Sequence, residues 1–327
     1  MREILKILIA EPMDFSQEVI ERLREYAHVD VHAVEEADLE QVLNEYDVFW
    51  FRLGWKINKG VLNQNSRCRI LATPVTGIDH IDENLCRELG VKIVCLRGEK
   101  EFLREVRATA EMTLALALAV MRHLPAAEQS VRNGVWDRDL FRGNELHLKT
   151  AGIIGFGRLG EIVADLFLAF GMKVLAYDIK SGMQYQSVEF TNNMEDLVRQ
   201  SDVVSIHVNY NEKTHHIIDE NILKQCKKGA YLVNTSRGGI VDEAAMLKAL
   251  KHGWLKGAAL DVLQGEHDIS EKHPLIQYAQ NNRNLLIVPH IGGNTYESFE
   301  KTEHFIAGKI IEIILAKRLQ NAPEIAG

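Results

Sequence analysis

Only six prolines occur in 327 residues, and no low-complexity tract or 20- to 50-residue repeat is visible, so a disordered, fibrous or solenoid chain is excluded. Four cysteines, Cys68, Cys86, Cys95 and Cys226, stand apart without any C-x-x-C spacing. That pattern suggests neither a disulfide framework nor a metal site, and it fits a reducing cytoplasm. No apolar run reaches bilayer length. The longest, MTLALALAVM at 112 to 121, is bounded by Glu111 and Arg122 and reads as a buried helix. The first residues, MREILKILIAEP, place Lys6 inside their apolar stretch and lead to no small-residue cleavage site, so they read as a strand and not as a leader. Basic blocks are missing too, and the net charge of -8 argues against nucleic acid as a partner; a membrane partner is not expected either.

What is present is an alternation of short apolar runs with amphipathic segments, the pattern of parallel strands joined by crossover helices. Strands are expected at ILKILIA, VDVHAV, YDVFWF, CRILATP and VKIVCL in the first third. A second series follows at TAGIIGFG, MKVLAYD, DVVSIHV, AYLVNTS, KGAALDV and NLLIVPH, six strands, the number in a dinucleotide-binding sheet. A long helical stretch from about Arg104 separates the two series. In the last segment Phe299, Phe305, Ile306, Ile310, Ile311 and Ile314 recur at helix spacing. The predicted fold class is therefore α/β, with two Rossmann-like or flavodoxin-like domains of parallel sheet. Residues 1–103 with about 298–327 form one domain, and 104–297 form the other.

Gly155, Gly157 and Gly160 lie in G-x-G-x-x-G spacing between an apolar strand and a helix whose Leu159, Ile162, Val163, Leu166 and Phe170 share a face. A second strand then ends at Asp178, eighteen residues after Gly160. The first glycine allows the tight turn, the second the approach of a pyrophosphate, the third close helix packing; the helix N-terminus supplies free N–H groups. Asp178 would accept hydrogen bonds from ribose hydroxyls and repel a 2′-phosphate, which favours NAD over NADP. Lys180 nearby is a cation that would soften that repulsion.

Ligands of open α/β sheets gather beyond the carboxyl ends of the strands. There the sequence offers His207, Arg237, Asp261 with Glu266 just beyond, and His290 followed by Gly292 and Gly293. Two readings of Arg237 are open, pairing with Asp242 or Glu243, or waiting for an anionic ligand that Gly238 and Gly239 let approach. Taken together, an arginine that grips a carboxylate, a histidine that exchanges a proton near neutral pH, and an acid that steadies the histidine form a working set for hydride transfer to a keto acid.

At these residues the chain resembles the D-isomer-specific 2-hydroxyacid dehydrogenases. The likeness runs through TGIDHID, RATAEMTLALALAVMR, VRNGVWDRDLFRGNEL, the glycine motif, SDVVSIHVNYNEKTHHIID, KKGAYLVNTSRGGIVDE, GAALDV and VPHIGGNT. It implies that Arg237 binds and polarises substrate, that Glu266 supports His290, and that His290 is the general acid/base. It also implies cofactor contacts at Arg158, Leu159, Asp178, Val208, Thr235, Ser236 and Arg237, with Asp261 facing the nicotinamide carboxamide. Thr76 and Gly77 match a loop whose backbone receives the substrate carboxylate. The resemblance further implies a cleft between the domains that closes over substrate, a first domain completed by the carboxy-terminal helix, and a homodimer built by the helix and arm after residue 105.

The chain departs from the family pattern at LRGEKEFLREVRATAE, where many members have an Asn-Pro-Gly-like segment, at Asn209 in place of proline, at Leu148 in place of glycine, and around Glu266, which lacks the usual following proline. The changes at Asn209 and Leu148 read as packing variations. Arg52 matches an arginine of phosphoglycerate dehydrogenases, and Lys56 and Arg97 would join it in a phosphate-binding cluster. The reading therefore leans toward a phosphoglycerate dehydrogenase-like enzyme, with no serine-feedback domain expected. Glyoxylate or hydroxypyruvate reduction on the same scaffold, and NAD(H) sensing without catalysis, stand as alternatives.

Overall fold

The computed structural model describes residues 4–320 and divides them into two compact units, 4–103 with 295–320, and 104–294. The last seven residues of the predicted first domain lie outside the described residues. Each unit is built on one all-parallel sheet, as the alternation of apolar runs and amphipathic helices demands.

In the first unit the sheet comprises β1 (Lys6–Ile9), β2 (His28–Val31), β3 (Val48–Trp50), β4 (Ile70–Ala72) and β5 (Lys92–Val94), ordered β2-β1-β3-β4-β5. Strand order reverses between β1 and β3, so the carboxyl ends of these two strands flank the switch point. The helix Tyr296–Gln320 packs within this unit because Ile306, Ala307, Ile310 and Ile314 are fully buried. Phe305 stacks on Phe102 with ring centroids 4.0 Å apart.

The second unit contains β6 (Thr150–Ile154), β7 (Lys173–Tyr177), β8 (Val188–Phe190), β9 (Val203–Ile206), β10 (Ala230–Asn234), β11 (Leu255–Leu260) and β12 (Leu285–Ile287). Their order is β12-β11-β10-β9-β6-β7-β8, with the switch between β6 and β9. The sequence pattern predicts six strands here and the structure has seven. The seventh, β8, is a three-residue edge strand whose middle residue is the charged Glu189, so it carries no apolar run. Its Phe190 packs edge-on against Phe156 of the glycine turn at 5.0 Å.

Both faces of this sheet are covered, which is why its strands read as continuous apolar runs. Ile154, Val204, Leu232 and Leu260 face one core, while Ile153, Val174, Val233 and Ala259 face the other, beneath helices Ala108–Met121 and Arg158–Ala169. The expected long helical stretch is broken at His123, which adopts φ +54°, and resumes at Leu124 with Pro125 in its first turn. Among the described residues no helix is long and apolar enough to cross a membrane.

Candidate active site

Strand register sets out the site. Tyr177, Ile154, Ile206, Asn234, Leu260 and Ile287 pair in one continuous row across β7, β6, β9, β10, β11 and β12. The residues immediately past that row on the first five strands are Asp178, Gly155, His207, Thr235 and Asp261. Five residues predicted from distant parts of the chain thus stand side by side along one edge of the sheet.

The glycine turn is built as close approach requires. Gly155 has φ +92°, and a Cβ there would lie 2.7 Å from the His207 carbonyl group, so the turn crosses the switch point in contact with the end of β9. A Cβ on Gly160 would lie 2.4 Å from the Gly155 carbonyl oxygen. By contrast, a Cβ on Gly157 would meet no protein atom within 4 Å. That open space lies over the N-terminus of helix Arg158–Ala169, where backbone N–H groups and the helix dipole suit a pyrophosphate. Leu159 is half-buried in the first turn, and Arg158, also half-buried, donates from Nη1 to the Val106 carbonyl at 3.2 Å. Asp178 accepts from Phe156 N at 2.9 Å and from Lys180 N at 3.0 Å, which fixes its carboxylate beside the turn. These residues fit a dinucleotide, and a bound NAD would be held by the turn and Asp178.

His207 pairs through Nε2 with Ser205 Oγ at 2.7 Å, while its Nδ1 is buried without a partner among the described residues. Burial, aided by the Arg158 guanidinium, pushes the imidazole down to about 3, so His207 is neutral at physiological pH. Ser236 Oγ donates to the Val208 carbonyl, and Thr235 Oγ1 meets Thr113 Oγ1 at 2.8 Å, fastening β10 to the helix Ala108–Met121.

Arg237 follows, with extended backbone, its Nη1 donating to the Ser236 carbonyl at 2.9 Å. Both acids weighed as its partners have other work. Asp242 caps helix Glu243–His252 by accepting from Ala245 N at 3.0 Å, and Glu243 accepts from Gln264 N at 2.7 Å. The two glycines after Arg237 admit protein and not ligand: a Cβ on Gly238 would lie 2.0 Å from the Leu263 carbonyl carbon, and one on Gly239 2.7 Å from the Tyr210 ring.

Asp261 is fully buried, and burial raises its carboxyl above the ordinary carboxylate range. Its two oxygens accept from Ile291 N at 2.7 Å and Gly292 N at 2.8 Å. A Cβ on Gly292 would lie 2.6 Å from Asp261 Oδ2, whereas Gly293 is exposed and open. Asp261 is therefore a clamp on the loop after β12. The clamp holds His290, whose φ of +52° is left-handed and whose N–H donates to the Asp261 carbonyl at 2.8 Å. His290 Nδ1 lies 2.5 Å from Glu266 Oε2, which puts the imidazole proton on Nδ1 and leaves Nε2 as the exchanging nitrogen.

In the first unit Thr76 is exposed on the loop beyond β4 and Gly77 is half-buried. Arg52, beyond β3, is committed: Nη2 pairs with the buried Glu303 at 2.8 Å, and the guanidinium stacks over Phe299 at 4.0 Å. Glu303 also accepts from Ser16 N at 2.9 Å. Arg97 makes two bonds to Glu83, at 3.0 and 2.9 Å, and Lys56 is exposed. The structural parts played by Phe156, Glu243 and Gln264 were not foreseen from the sequence: Phe156 and Glu243 lie inside motifs whose other residues drew the reading, and Gln264 carries no local motif.

Residues 114–292 match the family described as D-isomer specific 2-hydroxyacid dehydrogenase, NAD binding domain. The chain is similar to D-3-phosphoglycerate dehydrogenase of Methanocaldococcus jannaschii, 32% identical over 98% of this chain but 60% of that protein's length. It is similar to glyoxylate reductase of Aeropyrum pernix, 37% identical over 86% of this chain and 85% of that protein. Among solved structures, D-lactate dehydrogenase from Aquifex aeolicus, complexed with NAD and lactic acid, matches with a TM-score of 0.80 and 27% identity over 97% of this chain and 96% of that one.

Proposed function

Since the chain belongs to the D-isomer specific 2-hydroxyacid dehydrogenase family and is an NAD-dependent oxidoreductase of the CH–OH group, we propose that it interconverts a small unphosphorylated 2-keto acid and its D-2-hydroxy acid. The observation that carries the catalytic reading is the 2.5 Å pair of Glu266 Oε2 with His290 Nδ1. In the reductive direction bound NADH supplies the hydride. Protonated His290 gives its Nε2 proton to the carbonyl oxygen as negative charge develops there, and the Glu266 carboxylate steadies the imidazolium until that transfer. Arg237 grips the substrate carboxylate and polarises the adjacent carbonyl, a task suited to a forked, permanently charged donor. Asp178, fixed between Phe156 N and Lys180 N, supports preference for NAD over NADP, because it has no freedom to swing away from a 2′-phosphate.

The substrate class rests on the first-unit cations. Arg52 is ion-paired with Glu303 and Arg97 with Glu83, so a phosphate brought to either arginine would meet a carboxylate already beside it, while Lys56 is exposed. This moves the preference from phosphoglycerate to the glyoxylate or hydroxypyruvate type. We further propose a homodimer formed through the arm at 124–141, where Leu124, Val131, Val135, Trp136 and Leu140 are all exposed and Trp136 is 87% so. A reducing cytoplasm suits the four free cysteines.

Initial rates of NADH oxidation, measured with glyoxylate, hydroxypyruvate, pyruvate, 2-oxoglutarate and 3-phosphohydroxypyruvate, with NADPH in parallel, test the proposal. The expected kcat/KM is at least tenfold higher with one of the unphosphorylated acids. A preference for the phosphorylated acid would overturn the substrate class, and tight NADH binding without turnover would overturn the catalytic reading.

A further inference from the structure

A second cluster of titratable groups, used by none of the chemistry above, gathers at the start of helix Glu243–His252. The Glu243 side chain is only 16% exposed. Its Oε1 accepts from Gln264 N at 2.7 Å, and its Oε2 faces His273 Nε2 at 3.3 Å. His273 Nδ1 accepts from Leu275 N and caps helix Pro274–Asn281, which leaves Nε2 to carry the proton toward Glu243. Gln264 is gripped a second time through its side chain, whose Oε1 meets His216 Nε2 at 3.1 Å. Burial raises the Glu243 carboxyl, opposed by the Gln264 amide and the imidazoles of His273 and His216.

The place of Gln264 in the chain gives this cluster its meaning. Gly238 lies so close to the Leu263–Gln264 peptide that no side chain fits between them. Beyond Gln264 comes Gly265, with φ +73° and open space around it, and then Glu266. Glu266 therefore reaches His290 from an anchored amide across one conformationally free glycine. A charged, partly buried acceptor makes the stronger kind of hydrogen bond to such an amide.

We propose that Glu243 is a positioning residue: by holding the Gln264 amide it determines where the Glu266 carboxylate meets His290 Nδ1. The inference rests on the reading of the Glu266–His290 pair given above. Glu243 touches neither substrate nor cofactor in this role and acts through Gln264 and Glu266.

The test uses the full chain with NADH bound, comparing Glu243→Ala, Glu243→Gln and Glu243→Asp with Glu266→Gln as the reference. Four quantities are read: the downfield proton resonance of His290 Nδ1, kcat, KM and NADH affinity. Glu243→Ala is expected to broaden or shift the resonance and lower kcat about tenfold, with KM and NADH affinity within twofold. Glu243→Gln keeps an acceptor for the amide and is expected to restore most of kcat. Should the alanine variant not fold, Glu243→Asp, which withdraws the carboxylate by one methylene, must still move the resonance. Variants that melt earlier yet keep the wild-type resonance and kcat would overturn the proposal. If Glu266→Gln itself leaves resonance and kcat untouched, it is the Glu266–His290 reading that fails.

Discussion

Leu148 is 83% exposed and holds φ +62°, a conformation that costs an L-residue about 1–2 kcal/mol and glycine almost nothing. Its N–H donates to the Gly171 carbonyl at 3.0 Å as the chain turns into β6. The departure from glycine at this position is therefore a matter of backbone strain, not the packing variation that the sequence suggests. Leu148→Gly is expected to stabilise the protein by about 0.5–1 kcal/mol, after allowing for the extra freedom glycine gives the unfolded chain. Denaturant unfolding checks this, and a lower midpoint would mean that the exposed leucine has contacts worth more than the strain. His290 shows the opposite choice. Its left-handed backbone is kept despite the cost, because Asp261 latches the two amides that follow and the turn aims the ring at Glu266.

The turn Gly155–Gly160 separates two duties that one motif carries. Gly160→Ala would drive a Cβ to 2.4 Å from the Gly155 carbonyl, so both melting temperature and NADH affinity are expected to fall. Gly157→Ala meets only open space at an ordinary φ of -88°, so the melting temperature is expected to hold while NADH affinity drops about tenfold. Equal losses in both assays for the two variants would refute this division. The turn was legible in advance because its parts are contiguous: strand, three spaced glycines, helix, strand, acid. The same holds for Arg237 and His290, each a few residues past an apolar run. Strand β8 was hidden because three residues around Glu189 carry no period. Glu243 was visible only as a neighbour of Arg237, since its partners Gln264 and His273 are 21 and 30 residues away and meet it only after folding. The Arg52–Glu303 pair was hidden for the same reason: Glu303 lies 251 residues downstream.

For the molecule as a whole, the depressed His207 couples stability to acidity. The unfolded chain protonates this ring near its ordinary 6.5, whereas the folded chain resists until about 3, so the stability it contributes is complete above about 6.5 and is lost as pH falls toward 3. One such group changes the unfolding free energy by at most ~1.4 kcal/mol per pH unit. His207→Gln is expected to lose less stability than the parent between pH 6.5 and 5 in denaturant titrations, and parallel curves would reject the assignment. At the same scale, Trp136→Ser is expected to shift sedimentation toward a monomer if the exposed arm joins two copies. The row that ends the second sheet has one more consequence. In β10 and β11, Ala230 pairs with Leu255 but Tyr231 pairs with Gly257, so Lys256 is an extra residue taken up at the entrance of the strand while Asn234 and Leu260 stay level at its exit. One residue of extra length is thus taken up at the entrance of the strand, before the row beyond which Thr235 and Asp261 stand.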